Sequence, residues 1–136
     1  MSQHEPVSVR EVMTAAPHVV DGLATVREAI DLMAEHHVSS LVVDRRHEHD
    51  EYGLIVVRDI AELVIGPNRS PDRTSVYEVM SKPVLTLDAE MDIKYAVRLL
   101  ARFQVSRALV LEHGDLIGIV TLRDLVLRYV SATART

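Results

Sequence analysis

Residues 118–124 read GIVTLRD, and residues 53–59 read GLIVVRD. Both stretches hold a glycine, a run of apolar residues, an arginine and an aspartate in the same order. Their one difference in chemistry is Thr121, which stands where the earlier stretch has Val56. A phrase of this length that occurs twice indicates that the chain is built from an internal repeat.

The same repeat extends over most of the chain. VREVM at 9–13 is matched 67 positions later by VYEVM at 76–80, whereas Gly53 and Gly118 are 65 positions apart, so the second copy has lost two residues from one loop. We therefore predict a first motif at 8–65, a linker at 66–75, a second motif at 76–130 and a tail at 131–136. The linker, GPNRSPDRTS, is rich in residues that favour turns.

Each copy has the pattern of a β-α-β-β-α unit. TVREAIDLMAEHH at 25–37 carries apolar residues at helical spacing, and Thr25 with Glu28 forms a capping box at its start. Asp92 is the corresponding N-cap in the second copy. The β-branched runs that follow predict a hairpin of two strands, and the last apolar segment predicts a helix. The predicted fold class is α+β (mixed α/β).

Composition excludes several classes of protein. The chain has 136 residues, a net charge of −5, 48% hydrophobic residues and no cysteine. Such apolar content is too high for general disorder, and the acidic charge disfavours nucleic-acid binding. The absence of an 18-residue apolar run predicts no membrane span, and the polar N-terminus predicts no signal peptide. We therefore expect a cytoplasmic protein without nucleic-acid or membrane partners.

The EVM turn before a short strand, and the strand that ends G-φ-φ-T-φ-x-D before a helix, resemble the cystathionine-β-synthase (CBS) domain. Two such motifs in tandem resemble a stand-alone CBS pair, and the resemblance covers about residues 8–129. Many members carry a proline in the strand after the first helix, where this chain has Leu41–Val42 and Ala108–Leu109.

The resemblance implies one CBS pair with pseudo-two-fold symmetry and a ligand cleft between its motifs. It implies a regulatory module that senses an adenosine-containing ligand, namely AMP, ADP, ATP or an S-adenosylmethionine-like compound, with or without Mg²⁺. It further implies a homodimer that acts on an effector protein which the sequence does not identify, and no catalytic cofactor.

The spacing of Thr121 and Asp124 supports two interpretations. In one, the threonine hydroxyl caps the helix and the acid reaches back to complete a capping box. In the other, the helix N-terminus and the hydroxyl bind a phosphate while the carboxylate accepts hydrogen bonds from a ribose diol. We predict ligand binding for Thr121 and Asp124. Asp59 keeps the acid without the hydroxyl, and both interpretations stay open there.

Three arginines lie beside these acids and predict positive charge for a phosphate. Arg58 and Arg123 each precede an aspartate of the repeated phrase, and Arg107 begins a strand of the second copy. The alternative for each is a solvated surface arginine. The first copy has Ser40 in place of Arg107, so the second copy is predicted to be the better phosphate site.

The segment RHEHDE at 46–51 places His47 and His49 among carboxylates. Imidazoles at this spacing could bind Zn²⁺, and a metal-dependent activity is one alternative. A solvated hairpin tip is favoured instead, so no metal site is predicted. The sequence has no G-x-S-x-G, HExxH or P-loop motif, so we expect no enzyme.

A second alternative is a dimerisation or protein-interaction scaffold that binds no nucleotide. LVLRYV at 125–130 carries large apolar residues on a predicted helix, and two motifs of about 60 residues leave few faces to cover them. This segment predicts self-association under either hypothesis.

Overall fold

The computed structural model describes residues 6–133, with side chains described for residues 6–131. Its helices are α1 (Val9–Val12), α2 (Val26–His36), α3 (Val57–Ile60), α4 (Ile93–Phe103) and α5 (Leu122–Thr133). Its strands are β1 (Thr14–Ala15), β2 (Val19–Val20), β3 (Ser40–Val43), β4 (Gly53–Val56), β5 (Thr86–Asp88), β6 (Arg107–Glu112) and β7 (Asp115–Thr121). This order confirms the mixed α+β class and the repeated β-α-β-β-α pattern.

The chain forms two compact units. The central unit is residues 18–84, and the split unit joins residues 1–17 to residues 85–136. The linker predicted at 66–75 lies inside the central unit. The tail predicted at 131–136 ends beyond the described residues.

The central unit is built on a three-stranded sheet in the order β2-β3-β4. Strand β2 runs parallel to β3, and β3 pairs antiparallel with β4 as the predicted hairpin. Helix α2 begins at the predicted capping box, in which the Thr25 hydroxyl accepts from the Glu28 N–H at 3.1 Å and the Glu28 carboxylate accepts from the Thr25 N–H. Its apolar face joins strand residues in one buried core.

The split unit is built on a four-stranded sheet in the order β1-β7-β6-β5. Strand β5 is parallel to β6, and β6 and β7 form the second hairpin, with an irregularity at Val110/Leu111. Helix α4 starts at Asp92, whose carboxylate accepts from the Lys94 N–H at 2.9 Å. Arg128 of α5 donates to the carbonyl of Val12 at 2.9 Å, which ties α5 to the end of α1.

The opening segment of each copy is paired with the hairpin of the other copy. Strand β1 pairs with β7, with Thr14 opposite Ile119 and Ala15 opposite Gly118. In the central unit, Leu54 and Ser81 exchange both backbone hydrogen bonds, at 2.9 and 2.8 Å. The sequence pattern did not predict this exchange of segments.

The exchange explains why both hairpins contain a glycine. A Cβ atom at Gly118 would lie 3.0 Å from Met13 Cγ and 3.0 Å from the Thr14 carbonyl oxygen. A Cβ atom at Gly53 would lie 2.8 Å from Met80 Sδ. A side chain at either glycine would collide with the methionine of the EVM turn, so the glycine and the EVM turn, which both recur in the two copies, are parts of one contact.

The helix predicted for residues 58–65 differs from its expected form. Helix α3 continues from Ala61 to Ile65 as a π-helical turn, in which the Gly66 N–H donates to the Ala61 carbonyl at 2.8 Å. Pro67 follows and has no N–H with which to continue an α-helix. The opening turn of the second copy is also tighter than α-helical, with a 3₁₀ turn at Val76–Glu78.

Candidate functional site

The N-terminus of α5 brings together three of the predicted ligand-binding residues. Thr121 ends β7, and its hydroxyl accepts from the backbone N–H of Asp124 at 3.0 Å. Arg107 begins β6 directly opposite Thr121. Since residues directly opposite in an antiparallel pair project to the same face, the half-buried Arg107 lies beside the threonine.

Asp124 is half-buried, and the fold does not use its carboxylate for capping. Among residues 6–131, no hydrogen-bond donor is found on that carboxylate. In the other Ser/Thr caps of this chain the acid reaches back to the cap N–H, at 2.7, 3.1 and 2.8 Å. Those acids are the longer Glu11, Glu28 and Glu78. Helix capping therefore explains the hydroxyl of Thr121, but it does not explain the carboxylate of Asp124.

Arg123 lies exposed in the first turn of α5, and it forms no ion pair with the residues that the structure describes. The Leu122 N–H donates to the Ser106 carbonyl at 2.8 Å, which fixes where the strand passes into the helix. The Val57 N–H donates in the same way to the Ser39 carbonyl, at 2.9 Å. No role was predicted for Ser39 and Ser106, although they recur at the 67-residue spacing of the repeat.

The equivalent position in the first copy is chemically different. Ser40 lies opposite Val56, so the arginine of the second copy is replaced by a short serine and the threonine by a valine that has no hydroxyl. Burial raises the pKa of the Asp59 carboxyl, and the nearby Glu62 raises it further, against the opposing charge of Arg58. The Arg58 guanidinium pairs with Glu62 at 2.9 Å and is 83% exposed. The acids at 59 and 124 thus have unequal surroundings.

The hairpin tip at 44–52 is held by one buried acid. Asp50 has a side chain only 10% exposed, and it accepts from Lys82 Nζ and from the Arg46 backbone N–H. The backbone N–H of His49 donates to Nδ1 of His47, and both imidazoles are exposed. Among the described residues, no group of three or more histidines and acids is placed to hold a metal ion. The alternative of a metal site at His47 and His49 gains no support.

We expect the Lys82–Asp50 pair to make stability depend on pH. The Lys82 hydrogen bond, followed by the Arg46 N–H, lowers the pKa of the Asp50 carboxyl well below its ordinary value of 3.8. A lowered folded-state pKa contributes stability that is complete above the ordinary value and is lost as the pH falls through the folded-state pKa. In urea titrations, Lys82→Met should have a lower free energy of unfolding than wild type at pH 7. This difference between the two proteins should become smaller below about pH 4. A gap that stays constant down to pH 2 would contradict this account.

The family model described as CBS domain matches residues 9–66 and 76–131. The chain belongs to the CBS domain family. Its two CBS domains stand in tandem, as the duplicated phrases indicated. Within residues 6–133, no helix of this CBS protein has the length and apolar character that a membrane crossing requires.

Several proteins are similar to this CBS pair over most of its length. An uncharacterised protein of Methanopyrus kandleri is 34% identical over 122 residues, which is 88% of this chain and 59% of that protein. The hexameric CBS-CP12 protein from bloom-forming cyanobacteria has a TM-score of 0.86 and 33% identity, over 90% of this chain and 68% of that chain. The chain therefore spans about three fifths of the Methanopyrus relative.

One similar structure contains a nucleotide. The CBS domain of the bacterial CNNM/CorC family Mg²⁺ transporter, in complex with ATP, has a TM-score of 0.75 and 25% identity. The match covers 90% of this chain and 87% of that chain. A CBS domain of this fold thus binds an adenine nucleotide in that protein.

Proposed function

We propose that this protein is a regulatory module that binds an adenosine-containing ligand at the N-terminus of α5. The observation that carries the proposal is the half-buried Asp124 carboxylate, which the fold leaves without a hydrogen-bond donor beside Thr121 and Arg107. A carboxylate is an acceptor only, and a ribose diol offers two donors to it. The ATP complex of the similar CNNM/CorC domain supports the ligand class.

The neighbouring groups have complementary roles toward a phosphorylated ligand. The Thr121 hydroxyl accepts one hydrogen bond, from Asp124 N–H, and its own proton stays available for a phosphate oxygen. Arg107 supplies a guanidinium, which can contact a phosphate through two parallel N–H donors. Arg123 adds positive charge at the helix start. Since the whole chain carries a net charge of −5, this local positive charge is what would attract an anion.

The first copy is proposed to bind more weakly. Asp59 retains an acceptor for a nucleoside, but Val56 offers no donor and Arg58 is directed to Glu62. We therefore expect the split unit to bind the first equivalent of ligand. The regulatory signal is proposed to pass to an effector protein, without chemistry at the site and in the cytoplasm.

A thermal-shift comparison tests this function. We expect stabilisation by at least one compound among ATP, ADP, AMP, S-adenosylmethionine and NADH, measured with and without Mg²⁺. A ligand at about 100 times its Kd adds about 2.7 kcal/mol to the free energy of unfolding. GTP, which shares the ribose and the triphosphate with ATP, is the matched control for the adenine base, and inorganic triphosphate is the control for phosphate alone. If none of the adenosine compounds raises the melting temperature, the nucleotide proposal is wrong and a scaffold role is favoured.

The exposed face of α5 supports self-association as a second function. Val126, Leu127 and Val130 are 50%, 51% and 60% exposed. Val126 and Val130 also line an apolar groove of about 510 Å³ between α4 and α5, together with Val97 and Leu125. Large apolar patches on a small protein mark interaction surfaces. We propose that a second copy of the chain covers this face, which gives a homodimer.

Light scattering tests the homodimer. At tens of micromolar we expect a mass of twice the 15.2 kDa chain, and we expect Val126→Asp with Val130→Asp to give the mass of one chain. Both side chains are at least half exposed, so the fold should survive the change. Leu23→Asp is the control, since Leu23 is 79% exposed and lies in the central unit. A wild-type monomer would contradict the proposal.

A further inference from the structure

The central unit contains an open groove of about 810 Å³. It is lined by residues 21–23 after β2, by residues 43–46 after β3, and by Tyr77, Met80 and Lys82. Leu23 is 79% exposed and Tyr77 is 53% exposed, so two large apolar groups face solvent at its edge. The volume lies in the range of small-molecule sites, about 300–1,000 Å³.

The split unit has the same backbone arrangement at the position that corresponds to the groove. There, however, ion-paired side chains occupy the space. Tyr77, Leu23 and Arg45 correspond through the 67-residue offset to Arg10, Glu90 and Glu112. Arg10 pairs with Glu90 at 2.9 Å and also with Glu112. The Tyr77 N–H donates to Gly22 O at 2.9 Å, and the Arg10 N–H donates to Ala89 O at 2.9 Å, so the two places are structurally equivalent. At this place the central unit has an aromatic ring, a leucine and a rim of cations, of which Arg46 and Lys82 pair with Asp50.

The charges of the groove favour an anion. Arg45, Arg46 and Lys82 line it, against Asp21 and Asp44. Asp50, which is not in the lining, pairs with Arg46 and Lys82, so Arg45 is the lining cation without an ion pair among the described residues. Both acids accept a hydrogen bond from a nearby backbone N–H at 2.8 Å. The donor to Asp21 is Leu23, and the donor to Asp44 is Arg45. Arg45 stacks over the Tyr52 ring at 4.7 Å and donates to Glu48 O, which holds its guanidinium in place. The cations are thus positioned, while the acids are partly satisfied by the backbone.

The groove is separate from the acid of the first repeated phrase. It touches the end of β3 at Val43, which is opposite Gly53, whereas Asp59 follows the other end of the hairpin, where Ser40 is opposite Val56. Four residues of strand separate these ends by about 10 Å. The residues Thr121 and Asp124 belong to the split unit. No residue of the proposed nucleotide site lines the groove.

We propose that this groove is a second ligand site, which binds a small organic anion with a flat apolar portion. The apolar portion would lie against Leu23, Tyr77 and Met80, and the anionic group would contact Arg45 and Arg46. Guanidinium groups recognise carboxylate, sulfonate and phosphate through parallel N–H donors, and a tyrosine ring offers a flat stacking surface. The proposal is independent of the nucleotide function, because the two use different residues.

The probe for this site is 8-anilinonaphthalene-1-sulfonate, with the uncharged N-phenyl-1-naphthylamine as its counterpart. We expect saturable sulfonate binding, with backbone amide NMR shifts changing at residues 21–23, 44–46 and 77–82. Arg45→Glu with Arg46→Glu should weaken the sulfonate at least tenfold and leave the uncharged compound within about threefold. The matched control reverses two charges beside the α4/α5 groove, Lys94→Glu with Arg98→Glu, and should retain the wild-type affinity.

A second variant guards against a folding defect. Leu23→Asp changes an exposed side chain and places an acid at the groove edge, so it should also weaken the sulfonate at least tenfold while the amide spectrum elsewhere stays unchanged. Wild-type affinity in either the arginine pair variant or Leu23→Asp would overturn the proposal. So would shift changes confined to α4 and α5, which would show that the probe binds only the apolar face.

Discussion

Asp124→Ala should weaken the binding of an adenosine ligand by about 30-fold to nearly 1,000-fold. The carboxylate is proposed to accept two charge-assisted hydrogen bonds from a ribose, each worth about 1.5–3 kcal/mol. Allowing for water in place of the lost group, the expected loss is about 2–4 kcal/mol of binding free energy. Because no donor among the described residues binds this carboxylate, the folded state should lose little stability. Titration calorimetry measures the affinity, and thermal unfolding measures the stability.

Two companion variants make this result specific. Asp59→Ala is the matched control, and it should leave the first binding event unchanged. Thr121→Val gives the second copy the residue type of the first, and it should cost about 1–2 kcal/mol of affinity for phosphorylated ligands only. It should also cost some stability, since the Thr121 hydroxyl caps the Asp124 N–H. Wild-type affinity in Asp124→Ala would show that the ribose acceptor is wrongly assigned.

Gly118→Ala should lower the free energy of unfolding by about 1–3 kcal/mol, in the range of overpacked sites. The added methyl would meet Met13 Cγ and the Thr14 carbonyl at 3.0 Å, and the second of these is backbone within the β1–β7 pairing. The sulfur of Met13 would have to move aside as well. Urea denaturation of the variant against wild type measures the loss.

The matched control for this change is Gly22→Ala. A Cβ atom there would lie 3.5 Å from Val43 and 3.7 Å from Tyr77, which are ordinary contacts, so the effect should be within about 0.5 kcal/mol. A Gly118→Ala, Met13→Ala double-mutant cycle should show coupling between the two sites. If Gly22→Ala and Gly118→Ala lowered the free energy of unfolding equally, the contact with Met13 would not be the reason for a glycine at position 118.

Much of the fold could be predicted because the duplication supplies each local signal twice. Thr25 and Asp92 are helix caps in the structure, and the hairpins occur where β-branched runs predicted them. The exchange of Thr14 and Ala15 into the other copy's sheet could not be predicted. Those residues pair with a strand about 100 positions away, and such long-range pairing leaves no periodic pattern in either segment.

The candidate site was predicted in residue type and only partly in geometry. The chain order placed Thr121 and Asp124 three apart at a helix start, which is enough to bring them together. The opposition of Arg107 and Thr121 depends on strand register, which the hairpin loop sets and the sequence did not reveal. Arg58 was predicted beside a phosphate, and it pairs instead with Glu62, an i,i+4 contact that the spacing of the two residues on a predicted helix makes available.

The division of the chain into residues 18–84 and residues 1–17 with 85–136 has a consequence for the order of synthesis. On the ribosome, the first 17 residues emerge long before the strands that they join. The central unit is complete once residue 84 has emerged, so it can fold at that stage. Strand β1 has no pairing partner until β7 has been synthesised. Domains generally fold as units in the order of their synthesis, and contacts across long loops form late. Strand β1 is therefore expected to be among the last segments to reach its native pairing.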